Sequence, residues 1–161
     1  MAVMRVTLQV PAGTHSVCWS FRPSDMVYNF HPMPISVLLA DDSEIMRKVI
    51  ADLLRGDPEI QVVAECLSFA QTMERASKLH PQVIVLDVHM RDERTVTPSQ
   101  LKFGLIGSRL LAISIWKDDE TKALAERIGA ATLLDKANLV TALIPAIKHY
   151  ASSSERIPRS E

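Results

Sequence analysis

The sequence predicts a doubly wound α/β domain, a five-stranded parallel sheet with helices on both faces. Three observations predict it. Short runs of branched apolar residues, Ile35–Ala40 and Val83–Asp87 the clearest, read as strands buried on both faces. Longer segments with helical apolar spacing and capping residues lie between them. The two kinds of segment alternate from residue 35 to residue 150, as in chained βαβ units.

Residues 1–34 differ in texture from the rest of the chain. Pro11, Pro23, Pro32 and Pro34 interrupt them, and His15, Cys18, Trp19, Tyr28 and His31 fall without helical period. Met4, Val6, Leu8 and Val10 alternate with polar residues, which suits one short strand; the alternatives are a disordered extension or a natural start at Met33. An extension with no function of its own is the expectation.

From Ile35 the pattern is regular. The first strand, Ile35–Ala40, runs into Asp41, Asp42 and Ser43. Ile45, Met46, Val49, Ile50, Leu53 and Leu54 then mark one helical face, closed by Gly56 and Pro58. Residues 60–64 form the second strand. Ser68 and Gln71 make a capping box for a second helix with the stripe Phe69, Met73, Ala76 and Leu79, stopped by His80-Pro81. The third strand ends on Asp87. A polar stretch runs from Arg91 to Val96, and Thr97-Pro98-Ser99-Gln100 opens a short third helix ending near Gly107. Residues 110–114 are the fourth strand. Asp118 and Asp119 open a fourth helix that turns Leu124 and Ile128 inward and ends at Gly129. Residues 131–134 are a short fifth strand. Asn138 caps a last helix, buried through Leu139, Leu143, Ile144 and Ile147, which Pro145 should kink or delay. A polar, disordered tail is expected over 151–161.

Bulk composition narrows the function. The chain has 161 residues, 47% hydrophobic and 23% charged, enough for one domain with a real core plus tails. A net charge of -1 gives no basic field for nucleic acid or membrane. No apolar run reaches the roughly 18 residues of a membrane span. The N-terminus lacks the apolar block of a secretory signal. Cys18 and Cys66 stand in separate contexts, suggesting neither disulfide nor metal site and fitting a reducing cytoplasm.

The chemistry is expected at the carboxyl ends of the strands, where open α/β sheets keep their ligands. Right-handed crossovers leave two common strand orders. In the flavodoxin-like order 2-1-3-4-5 the chain reverses between the first and third strands, so Asp41, Asp42 and Asp87 converge there. Three neighbouring carboxylates raise one another's pKa, and a hard divalent cation such as Mg²⁺ relieves the conflict through oxygen ligands. The parts read as a phosphoryl-transfer site with Asp87 as nucleophile. Ser114, ending the fourth strand, supplies a hydroxyl; Lys136, just past the fifth, supplies a fixed cation.

Asp41-Asp42, Asp87-Val88-His89-Met90, Ser114 and Gly129-Ala130 leading to Lys136 occur in the order and spacing of a known family. From residue 35 to about residue 150 the chain resembles the response-regulator receiver domain of two-component signalling. The resemblance implies that Asp87 accepts phosphate from a sensor histidine kinase or phosphotransfer protein. It implies that Asp42, Asp87 and the backbone carbonyl of His89 bind Mg²⁺, with Asp41 helping through water. Ser114 would bond the phosphoryl oxygen as the switch, and Lys136 would pair with it. A single-domain switch is expected, acting on a downstream protein and not on DNA, with the fourth helix, fifth strand and fifth helix as signalling or homodimer face.

Each element alone has a plainer meaning: an Asp before a helix is usually an N-cap, and a strand-ending Asp a turn residue. The conjunction decides. Four positions depart from the family pattern: Arg91 and Ala137 stand where proline is usual, Ile115 where a small residue is, and Leu133 where an aromatic is. Trp116 is expected in the core, with a place on the signalling surface as the alternative. These departures suggest the alternative of a pseudo-receiver, a constitutive interaction module without phosphorylation. An aspartate-nucleophile phosphohydrolase would need an acid at His89, and nucleotide binding a glycine-rich loop after a strand. Neither is present.

Overall fold

A computed structural model describes residues 33–152. The extension expected over 1–34 lies outside the described residues apart from its last two, as does the tail beyond 152. The elements are β1 (Ile35–Ala40), α1 (Glu44–Arg55), β2 (Ile60–Cys66), α2 (Phe69–Leu79), β3 (Val83–Asp87), α3 (Pro98–Gly104), β4 (Arg109–Ser114), α4 (Asp119–Arg127), β5 (Thr132–Asp135) and α5 (Leu139–Ser152). All strand pairs are parallel, in the order β2-β1-β3-β4-β5, as expected.

Because side chains alternate along a strand, the sheet sorts its residues into two cores. Leu38, Ala40, Ile84, Leu86 and Ala112 meet α2, α3 and α4 through Phe69, Leu101 and Ala125. Val37, Leu39, Val83, Val85, Leu111 and Ile113 meet α1 and α5 through Ile50, Leu54, Leu143 and Ile147. Each fully buried Leu or Ile contributes about 1.5–3 kcal/mol. All five residues of β3 are buried, which puts Asp87 at the end of the most enclosed strand.

Several boundaries and faces differ from expectation. In α1 only Ile50, Ala51 and Leu54 are buried, while Ile45 and Val49 face solvent, 77% and 52% exposed. The apolar stripe is wider than the face the sheet can cover. β2 runs two residues past Ala64 because β1 pairs with it as far as Cys66. Ser68 Oγ accepts from the Gln71 N–H, but the Gln71 side chain accepts from the Leu67 N–H, so only half of that capping box forms. The box at Thr97 and Gln100 is complete. Asn138 is not a cap: the Asp135 carboxylate accepts from the Ala137 N–H at 3.0 Å and opens a 3₁₀ turn, Lys136–Asn138, before α5. α5 continues through Pro145 without a delayed start and reaches Ser152.

Candidate functional site

Strand parity builds the site. Val37, Leu39 and Asp41 share one face of the sheet with Val83, Val85 and Asp87, and continuing Leu134 by two residues brings Lys136 to that face. The outcome is direct contact: Lys136 Nζ lies 2.6 Å from Asp87 Oδ2 and 2.8 Å from Asp41 Oδ2. Asp41 is 0% exposed and Asp87 6%. Asp42, of the opposite parity, rises at the rim, where the Arg91 N–H donates to its Oδ2 at 3.0 Å and Arg91 Nε sits 3.5 Å away. Asp41, Asp42 and Asp87 each offer an oxygen within 4.8 Å of the others, and this group could hold a metal ion.

Backbone amides fix the acids. Asp41 Oδ1 accepts from the Ser43 N–H (2.9 Å), and Asp87 Oδ1 from the His89 N–H (3.1 Å). Arg47 donates to the Asp41 carbonyl oxygen at 2.8 Å, tying α1 to the end of β1. Burial pushes the Asp87 carboxyl above its ordinary value, against the pull of Lys136 and the His89 amide, and Asp41 adds to the rise. Burial pulls the Lys136 ammonium down, but its hydrogen bonds and charge pairing with Asp41 and Asp87 outweigh that and hold it above the usual lysine value. The site therefore carries two carboxylates on one ammonium, a net negative hollow suited to a hard cation.

The other expected residues fall nearby. Asp87 is in register with Ile113, so Ser114 is one step further along the neighbouring strand. It is 1% exposed, and its Oγ accepts from the Trp116 N–H at 3.0 Å. The His89 side chain turns away from the acids: Nδ1 is 3.2 Å from Glu93 Oε2 and Nε2 3.1 Å from Thr121 Oγ1. A role for His89 toward a metal is thus left to its backbone oxygen. Trp116 is not in the core; it is half exposed, edge-on to the His89 ring at 4.7 Å. Ile115, 64% exposed, stands out from the rim, and Leu133 is half-buried against the α2–α4 side.

Sequence reasoning missed Arg91 as the partner of Asp42, Arg47 as the brace of Asp41, and Thr121. It also missed Asp92, whose carboxylate accepts from the Phe69 and Ala70 amides at 3.1 and 3.2 Å and fastens the loop after β3 to α2. None carries a periodic signal, because each acts across the fold.

An open parallel sheet with an acid cluster and a buried lysine at the switch point of its chain defines the receiver class of α/β domain. The comparisons agree: the sequence model of the response regulator receiver domain matches residues 37–148, well over half of the chain, and the chain belongs to that family of two-component signalling. A protein-glutamate methylesterase/protein-glutamine glutaminase of Shewanella frigidimarina is 31% identical over 101 residues, 63% of this chain and 25% of that protein. The DNA-binding transcriptional activator DevR/DosR of Mycobacterium tuberculosis is 35% identical over 98 residues, 60% of this chain and 45% of that protein. The chain thus spans less than half the length of these curated relatives. Among solved structures, the signal receiver domain of the response regulator NarL from Mycobacterium tuberculosis superposes with a TM-score of 0.66 at 26% identity, covering 75% of this chain and 98% of that one. The response regulator domain of Thermotoga maritima CheB shares the fold, with a TM-score of 0.65 at 23% identity over 74% of this chain and 97% of that one.

Proposed function

We propose that the chain is a phosphoacceptor switch. An Asp87 carboxylate oxygen attacks the phosphorus of a phosphohistidine on a sensor kinase or phosphotransfer protein. An O–P bond forms, the P–N bond breaks, and the departing imidazole takes up a proton. The observation that carries this reading is the buried Asp41–Lys136–Asp87 cluster at the end of β3, with Asp42 beside it. An all-oxygen donor set of three carboxylates fits Mg²⁺, which Asp41, Asp42, Asp87 and the His89 carbonyl would hold. Bound there, the ion would offset the charge of the transferring group. Lys136 keeps Asp87 oriented and pairs with the incoming phosphoryl oxygens, and the Ser114 hydroxyl donates to one of them. A partner, or a second copy, reads the change on α4, β5 and α5; a hundredfold change in its affinity needs only about 2.7 kcal/mol. The setting expected for this exchange is the cytoplasm.

Incubation with acetyl phosphate and Mg²⁺ tests the reading. The expected result is an acid-stable, base-labile phosphate on Asp87 that is absent from Asp87→Asn and lost with EDTA. No labelling from acetyl phosphate or from any kinase points to a constitutive module instead.

A further inference from the structure

Leu133 offers Ser114 no hydroxyl or ring edge, so a signal from the site needs another path to the surface. The structure contains one. The backbone N–H of Trp116 donates to Ser114 Oγ (3.0 Å), and the Trp116 ring stands edge-on to His89, centroids 4.7 Å apart and planes 75° apart. His89 lies between Glu93 on the loop after β3 (3.2 Å) and Thr121 in the first turn of α4 (3.1 Å). Thr121 is 1% exposed, and its N–H is held by Asp118 at 2.7 Å. Between α3 and α4, alongside this bridge, is a cavity of about 230 Å³ lined by Phe69, Val88, His89, Leu101 and Leu124 among others.

We propose that Trp116, His89 and Thr121 carry the state of Asp87 to α4, with the His89–Thr121 bond acting as a latch that holds α4 against the loop after β3. The proposal rests on the phosphoacceptor reading and names how its output leaves the site. Turning Ser114 toward a phosphoryl oxygen draws its Oγ off the Trp116 N–H. The 115–117 segment is then free to shift, the indole leaves the imidazole edge, and His89 releases Thr121. α4 suits such a device: it has nine residues, and only Thr121 and Ala125 within it are buried. A helix so short depends on its tertiary contacts, so one part-buried bond to a neighbouring loop is a large share of what holds it. Its release loosens the wall of the α3–α4 cavity and exposes apolar surface to a partner. Trp116, His89 and Thr121 are positioning residues, acting on α4 and not on the reacting atoms.

Amide hydrogen exchange across 119–127 tests the latch in wild type, Thr121→Val and Thr121→Ser, with and without beryllofluoride and Mg²⁺. In the free protein, Thr121→Val is expected to raise α4 exchange about three- to tenfold, through loss of the part-buried bond to His89 together with the hydroxyl's bond to Asp118. That should approach the level wild type reaches with beryllofluoride. Thr121→Ser, keeping the hydroxyl, should exchange like wild type, and labelling of Asp87 should proceed at the wild-type rate in both variants. Exchange in Thr121→Val equal to wild type overturns the latch, as does a rise shared equally by α2 and α5. A wild type that binds beryllofluoride with no change in α4 also overturns it. If wild type binds no beryllofluoride, the phosphoacceptor reading fails, while the comparison of free proteins still judges the latch.

Discussion

Among the described residues, two lysines each hold two carboxylates, at opposite edges of the sheet, and the two clusters behave differently. At the carboxyl edge Lys136, 8% exposed, sits between Asp41 and Asp87. At the amino edge Lys148 on α5, 37% exposed, reaches Asp57 at 2.9 Å and also pairs with Glu59 in the turn between α1 and β2. The charges are alike; water is not. In the exposed cluster Lys148 simply holds the Asp57 carboxyl below its ordinary value, helped by the Glu59 amide. In the buried cluster desolvation wins and Asp87 rises despite its lysine. The exposed trio is a fastening. The buried trio keeps a surplus negative charge largely out of solvent, the charge that a bound Mg²⁺ would offset under the proposed function.

The largest effect should come from removing the buried cation. Lys136→Met leaves Asp41 and Asp87 facing each other unpaired. Breaking a buried ion pair this way costs about 3–5 kcal/mol, a fall in Tm of more than about 10 °C for a domain this size. Melting in EDTA should show that loss, and Mg²⁺ should recover part of it by supplying charge to the same carboxylates. Equal melting of variant and wild type in EDTA would place Lys136 in solvent. The next effect has the opposite sign. Asp87→Asn removes one of two carboxylates sharing one ammonium, leaving a matched Asp41–Lys136 pair. The metal-free variant should melt about 2–5 °C higher than wild type while losing all phosphate labelling. A lower Tm would mean that the Asp87 ion pair outweighs the repulsion.

This contrast also marks how far the sequence could be read. Strand residues announce themselves by composition, and once the order is 2-1-3-4-5, parity alone sends Asp41, Asp87 and Lys136 to one face. That much was legible: the strands, their order and the residues that meet at the carboxyl edge. Ile45 and Val49 were misplaced because helical spacing gives a stripe but not the width of sheet available to cover it. Trp116 was misplaced because a large apolar residue signals burial, whereas two residues past a strand end it can lie half exposed against a neighbour's ring. The Lys148 cluster and the Arg91–Asp42 contact went unread, since ion pairs between distant segments follow side-chain reach and not local pattern. His89 shows both limits at once. Its backbone sits where the strand put it, while its side chain found Glu93 and Thr121 on elements whose positions no local signal gives.

The smallest effect is the most selective test of the difference between the clusters. Lys148→Ala unfastens α5 from the turn at Asp57, and because water reaches the cluster the change at pH 7 and low salt should be about 1–2 °C in Tm. Its pH dependence has a definite sign. The folded Asp57 carboxyl titrates below its ordinary 3.8, so its contribution is present above that value and is lost as pH falls through the lowered one. Lys148 titrates above its ordinary 10.5, raised by Glu59 and Asp57, so its contribution persists through neutral pH and fades only at strongly alkaline pH. The gap between wild type and Lys148→Ala should therefore be flat from pH 5 to 9 and close below about pH 3.8. In 1 M salt, where the screening length is about 3 Å, the gap should shrink. The Lys136→Met gap should resist that salt, since Asp41 and Asp87 are 0% and 6% exposed and buried charges are screened far less than exposed ones. If both gaps collapse alike in salt, the two clusters are equally wet, and burial is not what separates a fastening from a reactive site in this fold.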